Sequence, residues 1–138
     1  MAKMSRKERL ELQKQQALAH WQKVDAELLE HRQEAYNVGG QKQVDRLAKQ
    51  GKKTPRELLD MLIDPGSEFF EVGLDCGYNI GYPEMAHIPG GGLITGVGKI
   101  EGKDIMIFIN ESRMSAGTSF PIPLKKHMRA QRIANELR

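Results

Sequence analysis

Apolar positions recur at helical spacing early in the chain and at strand spacing later. Leu10, Ala17, Trp21, Val24, Leu28 and Ala35 follow one another at steps of three, four or seven, which draws one stripe along a helix over residues 5–36. That span contains neither Gly nor Pro, and Lys, Arg, Glu and Gln fill its other faces. Lys14 and His31 interrupt the stripe, so the helix is expected to gain its stability by packing on a larger body, with Trp21 as its anchor in a groove. Asn37-Val38-Gly39-Gly40 ends it.

A second helix is predicted over residues 41–50, with Val44, Leu47 and Ala48 inward and Gly51 closing it. Thr54-Pro55-Arg56-Glu57 is a helix start: an N-cap Thr, Pro at the first helical position and Glu at the third. Leu58, Leu59, Met61, Leu62 and Ile63 form the expected buried side, and Asp64-Pro65-Gly66 stops the helix. Residues 69–72 read as a short strand. Residues 73–92 are irregular and rich in glycine, and a loop of that length is functional or mobile.

Residues 93–100 alternate as a strand whose second face carries Ile94, Gly96, Gly98 and Ile100, and its glycines imply close approach of another backbone or a bulge. Glu101-Gly102-Lys103 is a tight turn. Residues 105–109 are continuously apolar, as in a strand covered on both faces. The last helix is expected over residues 124–138. Ala130, Ile133, Ala134 and Leu137 line one face of it, and Lys125, Arg129 and Arg132 stack on another. The fold class is therefore α/β, with a hairpin inside a layered fold.

Composition narrows this only slightly. A chain of 138 residues makes one domain with a modest core. A formal charge of +3 suits an anionic ligand, but no aromatic residues interleave with the basic ones beyond Lys125, so nucleic acid is not expected. The single cysteine, Cys76, excludes a disulfide within the chain, argues against a thiolate metal site and points to a reducing compartment. His20, His31, His87 and His127 are scattered without metal-ligand spacing. No apolar run is long enough to cross a bilayer and the N-terminus lacks an apolar signal core, so a cytoplasmic protein without a membrane partner is expected.

Three stretches could carry chemistry. Lys125, Lys126 and Arg129 could hold phosphate groups, the alternative being a solvated helix face. Gly90, Gly91 and Gly92 could let backbone approach a substrate, the alternative being a turn before a strand. Ser115, Gly117 and Thr118 could donate hydrogen bonds to a ligand, the alternative being a satisfied loop. No P-loop or dinucleotide fingerprint is present.

Six short motifs fall in a characteristic order: Gly39-Gly40-Gln41-Lys42, Thr54-Pro55-Arg56-Glu57, Leu62-Ile63-Asp64-Pro65-Gly66-Ser67, Gly96-Val97-Gly98-Lys99-Ile100, Gly117-Thr118-Ser119-Phe120-Pro121 and Lys125-Lys126-His127-Met128-Arg129-Ala130-Gln131. Over residues 38–138 the chain resembles the carboxyltransferase (β) subunits of biotin-dependent acyl-CoA carboxylases. Pro89-Gly90-Gly91-Gly92 is most similar to the methylcrotonyl-CoA and geranyl-CoA branch, with the propionyl-CoA and acetyl-CoA branches close behind.

The resemblance implies a crotonase-like fold of stacked ββα units, here only its N-terminal part, with residues 1–37 as a preceding amphipathic helix and residues 38–138 as the truncated domain. It implies transfer of a carboxyl group from carboxybiotin to an acyl-CoA, both of them substrates, with no covalently bound cofactor. The implied partners are acyl-CoA, a biotin carboxylase and biotin carrier subunit, and further copies of the carboxyltransferase subunit. Lys125, Lys126, Arg129, Gly117 and Thr118 are the implied CoA-binding residues, and Gly90, Gly91 and Gly92 the substrate loop. No catalytic residue is expected among these residues. The chain stops before the family's first oxyanion Gly-Gly, so alone it is expected to be inactive, the alternative being a non-catalytic module for subunit interaction or CoA binding. Two positions depart from the pattern. Ser115-Ala116-Gly117-Thr118 stands where the family has Lys-Gly-Gly-Thr, and Asn110-Glu111 where it has Asn-Asp.

Overall fold

A computed structural model of the chain describes residues 4–78, 80, 88–114 and 121–137. Helix α1 (Arg6–Tyr36) opens on a reciprocal cap. The Glu8 amide donates to Ser5 Oγ at 3.2 Å and the Ser5 amide donates to the Glu8 carboxylate at 2.7 Å. Helix α2 (Gly40–Lys49) follows a left-handed Gly39. Helix α3 (Pro55–Leu62) starts as its sequence predicts, with Pro55 in the first turn and Thr54 and Glu57 exchanging hydrogen bonds of 2.7 and 3.3 Å.

Strands β1 (Phe70–Glu71), β2 (Leu93–Ile100) and β3 (Lys103–Asn110) form one antiparallel sheet in that order. The hairpin pairs Leu93 with Asn110 and Ile100 with Lys103. Its turn puts Glu101 at φ 51° and Gly102 at φ 75°, and the Asp64 carboxylate accepts from both their amides at 2.8 Å. The stop signal after α3 therefore also anchors the hairpin. The glycines of β2 admit close neighbours: a Cβ on Gly96 would collide with the Phe70 carbonyl, and one on Gly98 would press on Ile63.

Helix α3 covers one face of the sheet through Leu59, Ile94 and Ile107, with Ile63, Phe69, Ile100 and Ile109 around them. Helix α4 (Pro121–Glu136) covers the other, where His127 packs on Phe108 with ring centroids 4.5 Å apart. The hairpin is thus covered on both faces at its centre, while Ile105 near its tip is exposed. α4 begins three residues earlier than its pattern suggests. Pro121 and Pro123 both lie in its first turn, where a helix needs no amide donors.

Two expectations about packing change. Trp21 does not anchor α1 in a groove: it is 60% exposed, and every residue over 4–23 is exposed. The helix outruns the body it packs on, and only its last turns are covered. There His31, read as an interruption of the stripe, is buried against the ring of Tyr78 at 4.3 Å. In α3 Pro55 and Leu59 are buried, and Leu58, Met61 and Leu62 face solvent. Eight residues present one narrow row, and Leu59 and Ile63, four apart, fill it.

Candidate functional site: a glycine turn locked to a basic helix

Ile122, Lys126 and Ala130 follow one another at four-residue steps along α4 and form its buried row. Lys125 and Arg129 lie one position off that row and are exposed. Lys126 is 5% exposed, and its Nζ donates to the Gly90 carbonyl oxygen at 2.8 Å and also to the Leu93 carbonyl oxygen. Gly73 makes room for this side chain, since a Cβ there would lie 3.2 Å from Lys126 Cε. Burial pushes the Lys126 ammonium down from 10.5 to about 8. The fields of Glu71, Cys76 and Asp75 oppose the fall, and Arg56 adds to it.

The segment held by Lys126 is a left-handed turn. Gly90, Gly91 and Gly92 have φ of 64°, 66° and 65°, a run that only glycine adopts without strain. Pro89, Gly90 and Gly91 are buried. A Cβ on Gly91 would sit 3.2 Å from Ile122 Cγ2 and 3.4 Å from Cys76 Sγ. The Gly91 amide donates to Ile88 O, and Gly92 O accepts from the Glu111 amide, both at 3.1 Å.

The structure therefore brings Lys126 together with Gly90, Gly91 and Gly92. It leaves Lys125 and Arg129 on the solvent side of α4, and the ammonium of Lys126 turned away from them into the fold. Gly117 and Thr118, like Ser115, lie outside the described residues. Arg132 is engaged by Glu136 at 2.8 Å on the same helix.

Three ion pairs frame this centre, and none was anticipated from the sequence. Glu111 and Arg113 form a buried pair: the Arg113 amide, Nε and Nη2 all donate to the Glu111 carboxylate, at 3.1, 2.8 and 2.8 Å. Arg113 also donates to the Tyr36 carbonyl at 3.0 Å, tying the end of β3 to the end of α1. The departure at Asn110-Glu111 thus falls on a carboxylate held by its own neighbour. Arg56 forks onto Glu71 at 2.6 and 2.9 Å with its guanidinium 4.3 Å from the Tyr36 ring centroid. Arg32 forks onto Asp75 at 3.0 Å on both arms, and these bonds hold the Asp75 carboxyl below its ordinary range.

Only Lys126 gave a signal that the sequence could have yielded, since it occupies the Ile122–Ala130 row rather than the Lys125–Arg129 row. Two open hollows of about 850 and about 560 Å³ lie beside α3 and the β1–β2 edge, and none of the anticipated site residues lines them. Among the described residues no cluster of His, Cys, Asp and Glu could hold a metal ion. No described helix is long and apolar enough to cross a membrane.

Helices leading into an antiparallel hairpin, with a basic helix laid across it, define an α/β layer of the crotonase-like carboxyltransferase type. The chain belongs to the carboxyl transferase domain family, whose model matches residues 46–138. It is 41% identical over 113 residues to the mitochondrial methylcrotonoyl-CoA carboxylase beta chain of Arabidopsis thaliana, covering 82% of this chain and 19% of that one. Among solved structures, the P. aeruginosa geranyl-CoA carboxylase beta subunit aligns with TM-score 0.59 and 32% identity, covering 87% of this chain and 20% of that one. Transcarboxylase 12S, solved as a hexamer assembly with methylmalonyl-coenzyme A bound, aligns with TM-score 0.72 and 30% identity, covering 82% of this chain and 22% of that one. The chain thus spans about a fifth of the length of these relatives.

Proposed function

We propose that this chain is part of a carboxyltransferase subunit that moves a carboxyl group from carboxybiotin to an acyl-CoA. The observation that supports it is the Lys126 lock, which sets the glycine turn against the helix whose outer face carries Lys125 and Arg129. In this reading Lys125 and Arg129 meet the phosphates of CoA, and Gly90, Gly91 and Gly92 form a wall along the path of the acyl-thioester. Gly117 and Thr118 remain candidate donors to the same ligand. Lys126 serves from beneath by holding the turn in place, and no catalytic group is assigned among these residues.

Residues 1–37 act as a helical extension and residues 38–138 as the start of the carboxyltransferase domain. The partners in this reading are a biotin carboxylase and biotin carrier subunit and further copies of the carboxyltransferase, in the cytoplasm. Calorimetric titration with CoA tests the phosphate assignment. Wild type is expected to bind, and the pair K125M/R129M to bind at least about tenfold more weakly, since each charged hydrogen bond lost costs about 1.5–3 kcal/mol. Equal affinity in the two proteins would remove these residues from the site. The exposed first half of α1 favours a second reading, in which the chain also serves subunit association.

A further inference from the structure

Among the described residues nothing covers the first half of α1. Every residue from Met4 to Lys23 is exposed, including Leu10, Leu18 and Trp21 at 52, 60 and 60%. A helical stretch of that length is marginal in water without a packed face. Its charge is also polarised. Arg6, Lys7, Arg9 and Lys14 against Glu8 and Glu11 make the start net positive. Asp25, Glu27, Glu30 and Glu34 against Lys23 and Arg32 make the second half net negative.

Part of this pattern is symmetric about Ala17. Leu10 and Val24 each lie seven residues from it, Arg9 and Asp25 eight, and Lys7 and Glu27 ten. Lys7 and Asp25 are eighteen residues apart, about five turns, so they share one flank of the apolar stripe. Arg9 and Glu27 share the other flank for the same reason. A two-fold axis through Ala17 that runs two such helices antiparallel brings like flanks together.

We infer that α1 pairs antiparallel with α1 of a second copy of this chain, crossing at Ala17. Leu10 then lies opposite Val24 of the other copy, and the small Ala17 side chains allow close approach. Lys7 reaches Asp25 on one flank and Arg9 reaches Glu27 on the other, each pair occurring twice by symmetry. Among the described residues Glu27 is otherwise engaged by Lys23 at 3.8 Å, a long surface contact of little strength. Lys14, the polar interruption of the stripe, lies on the same flank as Trp21 of the other copy and one residue from its level, where its stem covers the indole and its charge lies over the ring. The Glu11 contact that Lys14 makes within the helix, 3.2 Å and exposed, is compatible with that position. The inference specifies the contact for the self-association proposed above and rests on no part of the catalytic reading.

Sedimentation velocity and cysteine cross-linking on the whole chain test it. Wild type is expected to self-associate, more weakly at high salt. K7E/R9E should weaken association by at least about tenfold, since four pairs become repulsive. Adding D25K/E27K to the same chain should restore it. In a chain with Cys76 replaced by Ser, Ala17→Cys should form an intermolecular disulfide far faster than Gln15→Cys on the opposite face. A wild-type chain that stays monomeric would overturn the inference. So would association indifferent to K7E/R9E, or equal cross-linking at positions 15 and 17, and either result would assign the face to a different occupant. CoA titration of the same variants, which leave Lys125 and Arg129 intact, keeps failure here distinct from failure of the catalytic reading.

Discussion

Lys126 Nζ lies 2.8 Å from the carbonyl oxygen of Gly90, thirty-six residues earlier in the chain, and the same nitrogen donates to Leu93 O at the other end of the glycine turn. One buried ammonium therefore closes the Gly90–Gly92 turn from below and joins it to α4. Replacing it by Met keeps the stem and removes the donors. Lys126→Met is expected to leave two buried carbonyls without their ammonium and to destabilise the fold by about 1–3 kcal/mol. Hydrogen exchange in peptides covering residues 88–95 should rise with it. A urea midpoint and exchange pattern equal to wild type would show that the lock contributes nothing.

The same residue sets a pH dependence whose sign is fixed by its lowered pKa. In the fold Lys126 titrates near 8, and in the unfolded chain near 10.5. Between those values the unfolded state binds more protons, so stability rises with pH. The penalty for burying the charge is present in full below about pH 8 and is relieved by about pH 10.5, a gain on the order of 3 kcal/mol. Denaturation midpoints across that window should climb in wild type and flatten in Lys126→Met. A fall with rising pH in both proteins would contradict the assignment.

Gly91 and Gly40 offer a matched pair. Both are left-handed, at φ 66° and 60°, but a Cβ on Gly40 meets nothing within 4 Å, whereas one on Gly91 presses on Ile122 and Cys76. Gly40→Ala is expected to cost about 1 kcal/mol, the strain of the backbone alone. Gly91→Ala should cost about 1–3 kcal/mol more, as overpacking adds to the same strain. Equal losses in thermal or urea unfolding would mean that the turn gives way without resistance.

Glu111→Gln leaves the Arg113 guanidinium buried beside a neutral amide. Both side chains are about 5% exposed or less, so the expected loss is about 3–5 kcal/mol. The double variant E111Q/R113M should recover part of that loss, because it removes the stranded charge. A single variant as stable as wild type would show that water reaches the pair.

Much of this architecture could be read locally. Thr54 with Glu57 announces a helix start because the cap closes within four residues, and Ser5 with Glu8 closes the same cap in the fold. The glycines of β2 announce a close neighbour because strand alternation leaves few other reasons for them. The hairpin follows from two apolar runs and a short turn, and the family follows from the order of six motifs. The row Ile122–Lys126–Ala130 held a clue to the lock that side-by-side basic residues obscured.

What the sequence by itself determined is therefore the set of elements, their caps and their membership of a carboxyltransferase layer, since these rest on contacts between residues near one another in the chain. Only the tertiary structure decided which charges turn inward. Lys126 finds Gly90 and Leu93, Arg32 finds Asp75 and Arg113 finds the Tyr36 carbonyl, across separations of 33 to 77 residues. A side chain's periodicity states which face it occupies. Whether that face holds water or an unsatisfied carbonyl depends on which distant segment folds over it, and only the packed fold supplies that segment.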